Sequence, residues 1–122
     1  MENQIILTHF TFEEIKCKCG CSGKIINYNL LLRLELARRN SDLPFKINSW
    51  CRCSQHNRQV GGSLTSSHLN GLAVDIHCPT PEFQNKLMVY LGDAGFRRFG
   101  IGDTYLHVDI DPTKSLPAIW YY

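Results

Sequence analysis

The sequence predicts a small α+β domain in which helices flank an antiparallel sheet. Residues 72–77 and 105–110 alternate between apolar and polar side chains, as half-buried strands do, whereas residues 28–39 and 81–92 place apolar side chains at helical spacing. The chain has 122 residues, of which 43% are hydrophobic, which is enough for one modest core. We therefore expect residues 1–122 to form a single domain.

The helices carry clear start signals. Thr11 can cap a short first helix, and Glu14, three residues later, completes a capping box. Residues 28–39 form the main scaffold helix, residues 44–50 follow as a strand, and a later helix begins at Pro81. The apolar face of the scaffold helix contains Leu30, Leu31, Leu34 and Ala37.

The two alternating strands each present one polar row. Asp75 lies on the polar face of 72–77, and His107 and Asp109 lie on the polar face of 105–110. If the two strands pair in one sheet, these three side chains converge on one patch.

Charge and hydropathy exclude several classes of partner. The net charge of +2, from 13 basic and 11 acidic residues, gives no concentrated field for nucleic acid or a membrane surface. No basic region precedes the short apolar run 5–7, and no run is long enough to cross a membrane. We therefore expect a monomer that is made in the cytoplasm of the producing cell without membrane insertion.

Six cysteines are many for such a chain. Their positions are Cys17, Cys19, Cys21, Cys51, Cys53 and Cys78. The spacing "CKCGC" and "CRC" is not that of common zinc ribbons, so three states remain open: free thiols, a structural zinc, or disulfides. The zinc or the disulfides would join Cys17, Cys19 or Cys21 to Cys51 or Cys53.

A metal site is the alternative to three unrelated side chains. His68 alone is typical of a surface loop, Asp75 of a strand end, and His107 of a half-buried, hydrogen-bonded histidine. Together they supply two neutral imidazoles and one carboxylate, and catalytic zinc usually takes three such ligands and keeps one position open. The resulting charge of about +1 is sufficient to acidify water and polarise a carbonyl.

The motif region resembles a known peptidase family. "SWCRCSQHNRQVGGSLTSSHLNGLAVDIHC" followed by "GIGDTYLHVDI" is similar to the zinc D-alanyl-D-alanine carboxypeptidase and L-alanyl-D-glutamate endopeptidase family, whose superfamily includes the hedgehog domain. The resemblance spans residues 10–111 and implies a fold of that type with Zn²⁺ as cofactor. The segment "FTFEEIKCKCG" is also similar to the start of short phage and prophage members.

The resemblance also implies roles for individual residues. The metal ligands of the family correspond to His68, Asp75 and His107. Arg52 matches an arginine that binds a substrate carboxylate or steadies an oxyanion, a task suited to the paired donors of a guanidinium. Ser66 matches a serine near the substrate.

The general base is less well defined by the resemblance. Many relatives place an acid three residues before the final histidine ligand, where this chain has Thr104. Asp109 and Asp103 are the replacements available. We favour Asp109 because it shares the face of His107, although it can instead orient that imidazole.

The implied function is cleavage of an amide bond in the peptidoglycan stem peptide, as a D,D-carboxypeptidase or an L,D-endopeptidase. We expect a phage endolysin acting after lysis, or a virion-associated enzyme. The alternative is a zinc-containing, catalytically inactive binding module of the same fold. A cysteine-zinc nucleic-acid module would need basic clustering or ribbon spacing, and the sequence has neither.

Overall fold

The computed structural model describes residues 9–21 and 26–122. Within these ranges the helices are α1 (Phe12–Ile15), α2 (Tyr28–Ser41), α3 (Ser54–Gln59) and α4 (Pro81–Asp93), with a 3-10 turn at Ser67–Asn70. The strands are β1 (Ile47–Ser49), β2 (Ala73–His77), β3 (Arg98–Ile101), β4 (Tyr105–Asp109) and β5 (Ala118–Tyr121). The apolar run 5–7 lies outside the described residues.

The predicted helix starts are confirmed by their caps. Thr11 Oγ1 accepts a hydrogen bond from Glu14 N at 3.4 Å, and Glu14 Oε1 accepts one from Thr11 N at 3.0 Å, which is a capping box. Thr80 Oγ1 accepts from Phe83 N at 3.1 Å, one residue before Pro81 opens α4. The starts of α1 and α4 therefore follow from local side-chain chemistry.

The sheet has the strand order β1-β2-β4-β3-β5. The pairs β1·β2, β2·β4 and β3·β4 are antiparallel, as expected, but β5 pairs with β3 in parallel. The expectation of an antiparallel sheet thus needs one correction: the sheet is mixed. The cause lies in the loop 110–117, which carries the chain back so that β5 runs in the direction of β3.

The register of β2 against β4 places Asp75 directly opposite His107. On the other face of the same two strands, Val74, Ile76, Leu106 and Val108 are fully buried. This apolar face packs with α2 and α4 in one core, to which Leu34 and Leu87 contribute. The sheet therefore separates a dry core from a polar face that carries the candidate site.

Four elements were not predicted from the sequence: α3, the 3-10 turn, β3 and β5. The α3 sequence "SQHNRQ" has no apolar periodicity, and the 3-10 turn is only four residues long.

Among the helices of the described ranges, none combines the length and the apolar character needed to cross a bilayer.

Candidate active site

His68 is presented by the 3-10 turn and is buried. Its ring Nδ1 lies 2.7 Å from the main-chain oxygen of Trp50. A carbonyl oxygen only accepts, so Nδ1 carries the proton and Nε2 keeps a free lone pair. Gly71 ends the turn at φ 67°, a left-handed conformation that glycine adopts without strain. The turn therefore fixes both the position and the tautomer of this imidazole.

His107 is oriented from the opposite side. Its Nε2 lies 2.8 Å from Asp109 Oδ2, and its Nδ1 lies 2.8 Å from Asp75 Oδ1. Nε2 of His68 lies 3.1 Å from the same oxygen of Asp75. One imidazole nitrogen from each ring thus converges on a single carboxylate oxygen.

These three side chains fit a metal ion. Once Nδ1 of His68 and Nε2 of His107 hold the ring protons, the atoms facing one another are all electron-pair donors, and they lie within 4.8 Å of one another. Such an arrangement is repulsive unless a cation or additional protons occupy it. Two nitrogens and one oxygen form a ligand set that suits Zn²⁺.

The pKa shifts of Asp75 and His107 also indicate that positive charge is favoured between these side chains. Burial alone would raise the pKa of Asp75, but hydrogen bonds from His107 and His68 outweigh burial and lower it. Burial alone would lower the pKa of His107, but hydrogen bonds to Asp109 and Asp75 raise it overall. Bound metal would replace these extra protons.

Asp109 lies behind His107 rather than in front of it. Its Oδ1 accepts from Arg98 Nε at 2.7 Å and from Asp111 N at 3.1 Å, while Oδ2 faces the imidazole. The side chain is only 1% exposed, on the side of the ring away from Asp75. Both of its oxygens are engaged by protein groups, which favours the second of the two roles considered for Asp109, the orientation of His107.

Asp103 lies in the turn between β3 and β4 and is exposed. It is not among the residues that line the cleft above the ligands. Its influence reaches the cleft through Tyr105, whose pKa is raised by burial, by Tyr122 and by the negative charges of Asp75 and Asp103. The charge of Asp103 therefore acts on Tyr105, a residue that lines the cleft.

Arg52 borders the ligands and is held on three sides. Its Nε donates to Ser49 Oγ at 3.0 Å, its Nη1 to Asn57 Oδ1 at 3.2 Å, and its Nη2 faces Asp75 Oδ2 at 3.4 Å. Its backbone N–H donates to His68 O at 3.0 Å. The guanidinium is thus positioned beside the ligands, with one weak contact that an incoming anion can replace.

The loop 60–66 packs against this arginine. A Cβ atom on Gly62 would lie 2.0 Å from Asn57 Oδ1 and 3.0 Å from Arg52 Nη1, so only glycine allows this approach. Ser66 lines the same wall, and its Oγ accepts from His68 N at 3.3 Å. The hydroxyl of Ser66 therefore caps the turn that carries the first ligand.

A cleft of about 350 Å³ lies above the ligands. Its opposite wall is formed by Trp120 of β5 and by Tyr122, which directly follows that strand. Their ring centroids lie 5.5 Å and 6.3 Å from that of His107. Arg98 stacks on Trp120 with Cζ 4.8 Å from the ring centroid. Arg98 and this aromatic wall were not predicted from the sequence, although a run of β-branched and aromatic residues such as "AIWYY" is typical of a strand.

The profile of the family described as Peptidase M15 matches residues 8–111. The chain belongs to the peptidase M15 family. The family is zinc-dependent, and the match contains Arg52 and the three candidate ligands. No curated protein matches the chain. The M15 match ends before β5, so the aromatic wall lies outside the matched range.

Proposed function

We propose that this M15 peptidase is a zinc enzyme that hydrolyses a peptide bond of the peptidoglycan stem peptide. The observation that carries the proposal is the convergence of three lone-pair donors, from His68, Asp75 and His107, at the floor of a cleft bordered by Arg52. When bound there, zinc supplies Lewis acidity, which makes water more acidic and polarises a carbonyl. The remaining roles belong to side chains of the protein.

Substrate binding is proposed for Arg52. Stem peptides carry carboxylates, and a guanidinium binds a carboxylate or a developing oxyanion through paired N–H donors. Ser49 and Asn57 hold two of its nitrogens, so Nη2 is pre-positioned and exchanges only a 3.4 Å contact with Asp75 for substrate. The side chain of Lys114 also lines the cleft and adds positive charge. This cleft therefore favours an anionic peptide.

For proton transfer we propose a division of roles between two aspartates. Asp109 orients His107 and is itself held by Arg98. Asp103 receives the proton, because it is one residue from the position where many relatives have an acid and it is exposed in the turn that precedes Tyr105, which lines the cleft. The turn 102–104 has to approach the site when substrate binds, since catalytic contacts often tighten only in the complex.

The decisive experiment is digestion of purified peptidoglycan by zinc-loaded protein, followed by mass spectrometry of the released fragments. Release of terminal D-alanine identifies a D,D-carboxypeptidase. New N-termini within the stem identify an L,D-endopeptidase. The double variant His68→Ala with His107→Ala serves as the inactive control.

The binding-module alternative has one supporting observation: the Asp109 carboxylate is fully engaged by protein groups. If the protein carries zinc, releases no fragment by either type of cleavage, and sediments with intact cell walls, it is that module.

Delivery to the wall after lysis, or within a phage particle, is also proposed, on the similarity of "FTFEEIKCKCG" to phage members. Immunodetection in purified virions and in lysates distinguishes these two routes.

A further inference from the structure

A second group of potential metal ligands lies outside the cleft. The thiols of Cys17, Cys19, Cys21 and Cys53, here called the cysteine cluster, place their sulfur atoms within 4.8 Å of one another. Cys51 is not a member, which corrects the expectation that it shares such a site. Its side chain is buried in the core, and its backbone N–H donates to Ile15 O at 3.0 Å.

The distances within the cysteine cluster match tetrahedral coordination. With Zn–S bonds of about 2.3 Å, the sulfurs of a tetrahedral site lie about 3.8 Å apart. The observed Sγ–Sγ distances are 3.4 Å for Cys17 and Cys19, 3.8 Å for Cys17 and Cys53, and 3.7 Å for Cys19 and Cys53. A disulfide needs about 2.05 Å and joins only two sulfurs, whereas here three are nearly equidistant.

Backbone donors support negative charge on the sulfurs. The N–H of Cys53 points to Cys17 Sγ at 3.4 Å, and the N–H of His56 points to Cys53 Sγ at 3.3 Å in the first turn of α3. These two N–H groups are oriented to stabilise thiolates, the form of cysteine that coordinates a metal.

We propose that the cysteine cluster is a second metal site, a tetrathiolate that takes Zn²⁺ and has a structural role. Four thiols give up four protons to the solvent as the ion binds, and no redox change takes place. The site joins the segment 17–21 to Cys53, the residue immediately after Arg52. The ion thereby fixes the backbone on which the substrate-binding guanidinium is mounted.

The test is the zinc content of the full chain and of matched variants. We expect two zinc ions per wild-type chain and one in Cys19→Ser with Cys21→Ser, whose exposed thiols can be changed without disturbing the core. Cys78→Ala removes a thiol outside the cluster, with its Sγ near Ile76 O, and should keep two. His68→Ala with His107→Ala should retain the ion in the cysteine cluster. These counts are independent of whether the protein cleaves peptidoglycan.

Cobalt substitution gives a second readout. Co²⁺ in a tetrathiolate produces intense sulfur-to-metal charge-transfer absorption, which should persist in the histidine variant and disappear in the cysteine variant. One zinc per wild-type chain that is lost with the histidines, or a disulfide among these cysteines in protein unfolded without reductant, would overturn the proposal.

Discussion

Asp109 fixes the orientation of the His107 imidazole. Its Oδ2 accepts a hydrogen bond from Nε2 of that ring, while its Oδ1 accepts one from Arg98. A carboxylate in this position fixes the tautomer of a ligating histidine and raises the basicity of its other nitrogen. Asp109 shares a strand face with the ligands and therefore acts on the metal site through His107.

Asp109→Asn should weaken zinc binding by about 10- to 100-fold and reduce turnover together with it. The reason is that an amide cannot satisfy both Arg98 and the imidazole as the carboxylate does. Competition against a chromophoric chelator measures the affinity, and peptide hydrolysis measures the turnover.

Asp103→Asn is the matched control. We expect unchanged zinc affinity with turnover lower by roughly 10² to 10⁴, as for loss of a general base. The reverse pattern, with zinc affinity intact and turnover lost in Asp109→Asn while Asp103→Asn is fully active, would return the proton-accepting role to Asp109.

At the scale of single elements, β5 covers the edge of β3 and contributes to one wall of the cleft. Gly100 makes this possible, since a Cβ atom there would lie 2.7 Å from Trp120 Nε1 and 2.6 Å from Tyr122 Cε2. The absence of a side chain at Gly100 therefore leaves room for both rings beside β3.

Trp120→Ala should raise KM several-fold while zinc content stays the same, because the ring borders the cleft and offers no ligand atom to the metal. Ile119→Ala is the matched control: it lies on the same strand, is 60% exposed, and does not line the cleft. Steady-state kinetics on a stem peptide measure both. Equal KM values for the two variants would remove the wall from substrate binding.

The loop 110–117 leads into this strand and is tied at Asp111. Oδ1 accepts from Thr113 N at 3.0 Å and from Thr113 Oγ1 at 2.6 Å, and Oδ2 accepts from Ser67 Oγ at 2.8 Å. Burial alone would raise the pKa of Asp111, but these hydrogen bonds lower it to about 2. The carboxylate form is therefore stabilised in the folded state.

The lowered pKa of Asp111 predicts a pH dependence of stability. The contribution is present above the unfolded pKa of about 3.9 and is lost as the pH falls through the folded value. Asp111→Asn should lower the free energy of unfolding by about 1 to 3 kcal/mol at pH 7, and by less near pH 2. Urea unfolding at several pH values measures this, and an equal loss at every pH would contradict it.

Sequence patterns predicted the elements with strong local signals. The alternation around Asp75 and His107 identified β2, β4 and the face that carries the ligands, because side-chain direction in a strand has a period of two. The capping box at Thr11 and the proline at the start of α4 fixed helix starts in the same way. These features depend only on residues close in the chain.

The remaining features depend on long-range packing. A shift of β2 against β4 by two residues would preserve every face, so the pairing of Asp75 with His107 could not be derived from alternation alone. The engagement of Asp109 depends on Arg98, which belongs to a strand that was not predicted. The parallel pairing of β5 follows from the path of the loop 110–117.

Across the whole molecule, residues 51–53 connect the two candidate metal sites. Arg52 bonds to His68 O and faces Asp75, whereas Cys53 belongs to the cysteine cluster. We therefore expect that loss of an ion from either site would affect the backbone between them.

Removal of zinc by a chelator should lower the thermal unfolding midpoint, because a ligand that binds only the folded state stabilises it by about 4 kcal/mol at 1,000 times its Kd. Scanning calorimetry with and without chelator measures the shift in wild type and in both metal-site variants. We expect each variant to retain part of the shift, and an unchanged midpoint in the wild type would contradict metal-linked stability.

His68 donates a hydrogen bond to the main-chain oxygen of Trp50, whereas His107 pairs with a side chain. The two imidazoles therefore differ in their sensitivity to mutation of these partners. Any amino acid at position 50 supplies that carbonyl, so the tautomer of His68 does not depend on which side chain is inherited there. Within the described residues, Trp50 Nε1 is a buried donor without a partner, so phenylalanine loses no hydrogen bond. His107 instead depends on one carboxyl group, and a single nucleotide change at codon 109 can abolish it. The tautomer of His68 is therefore independent of the side chain at position 50, whereas the tautomer of His107 depends on the side chain at position 109.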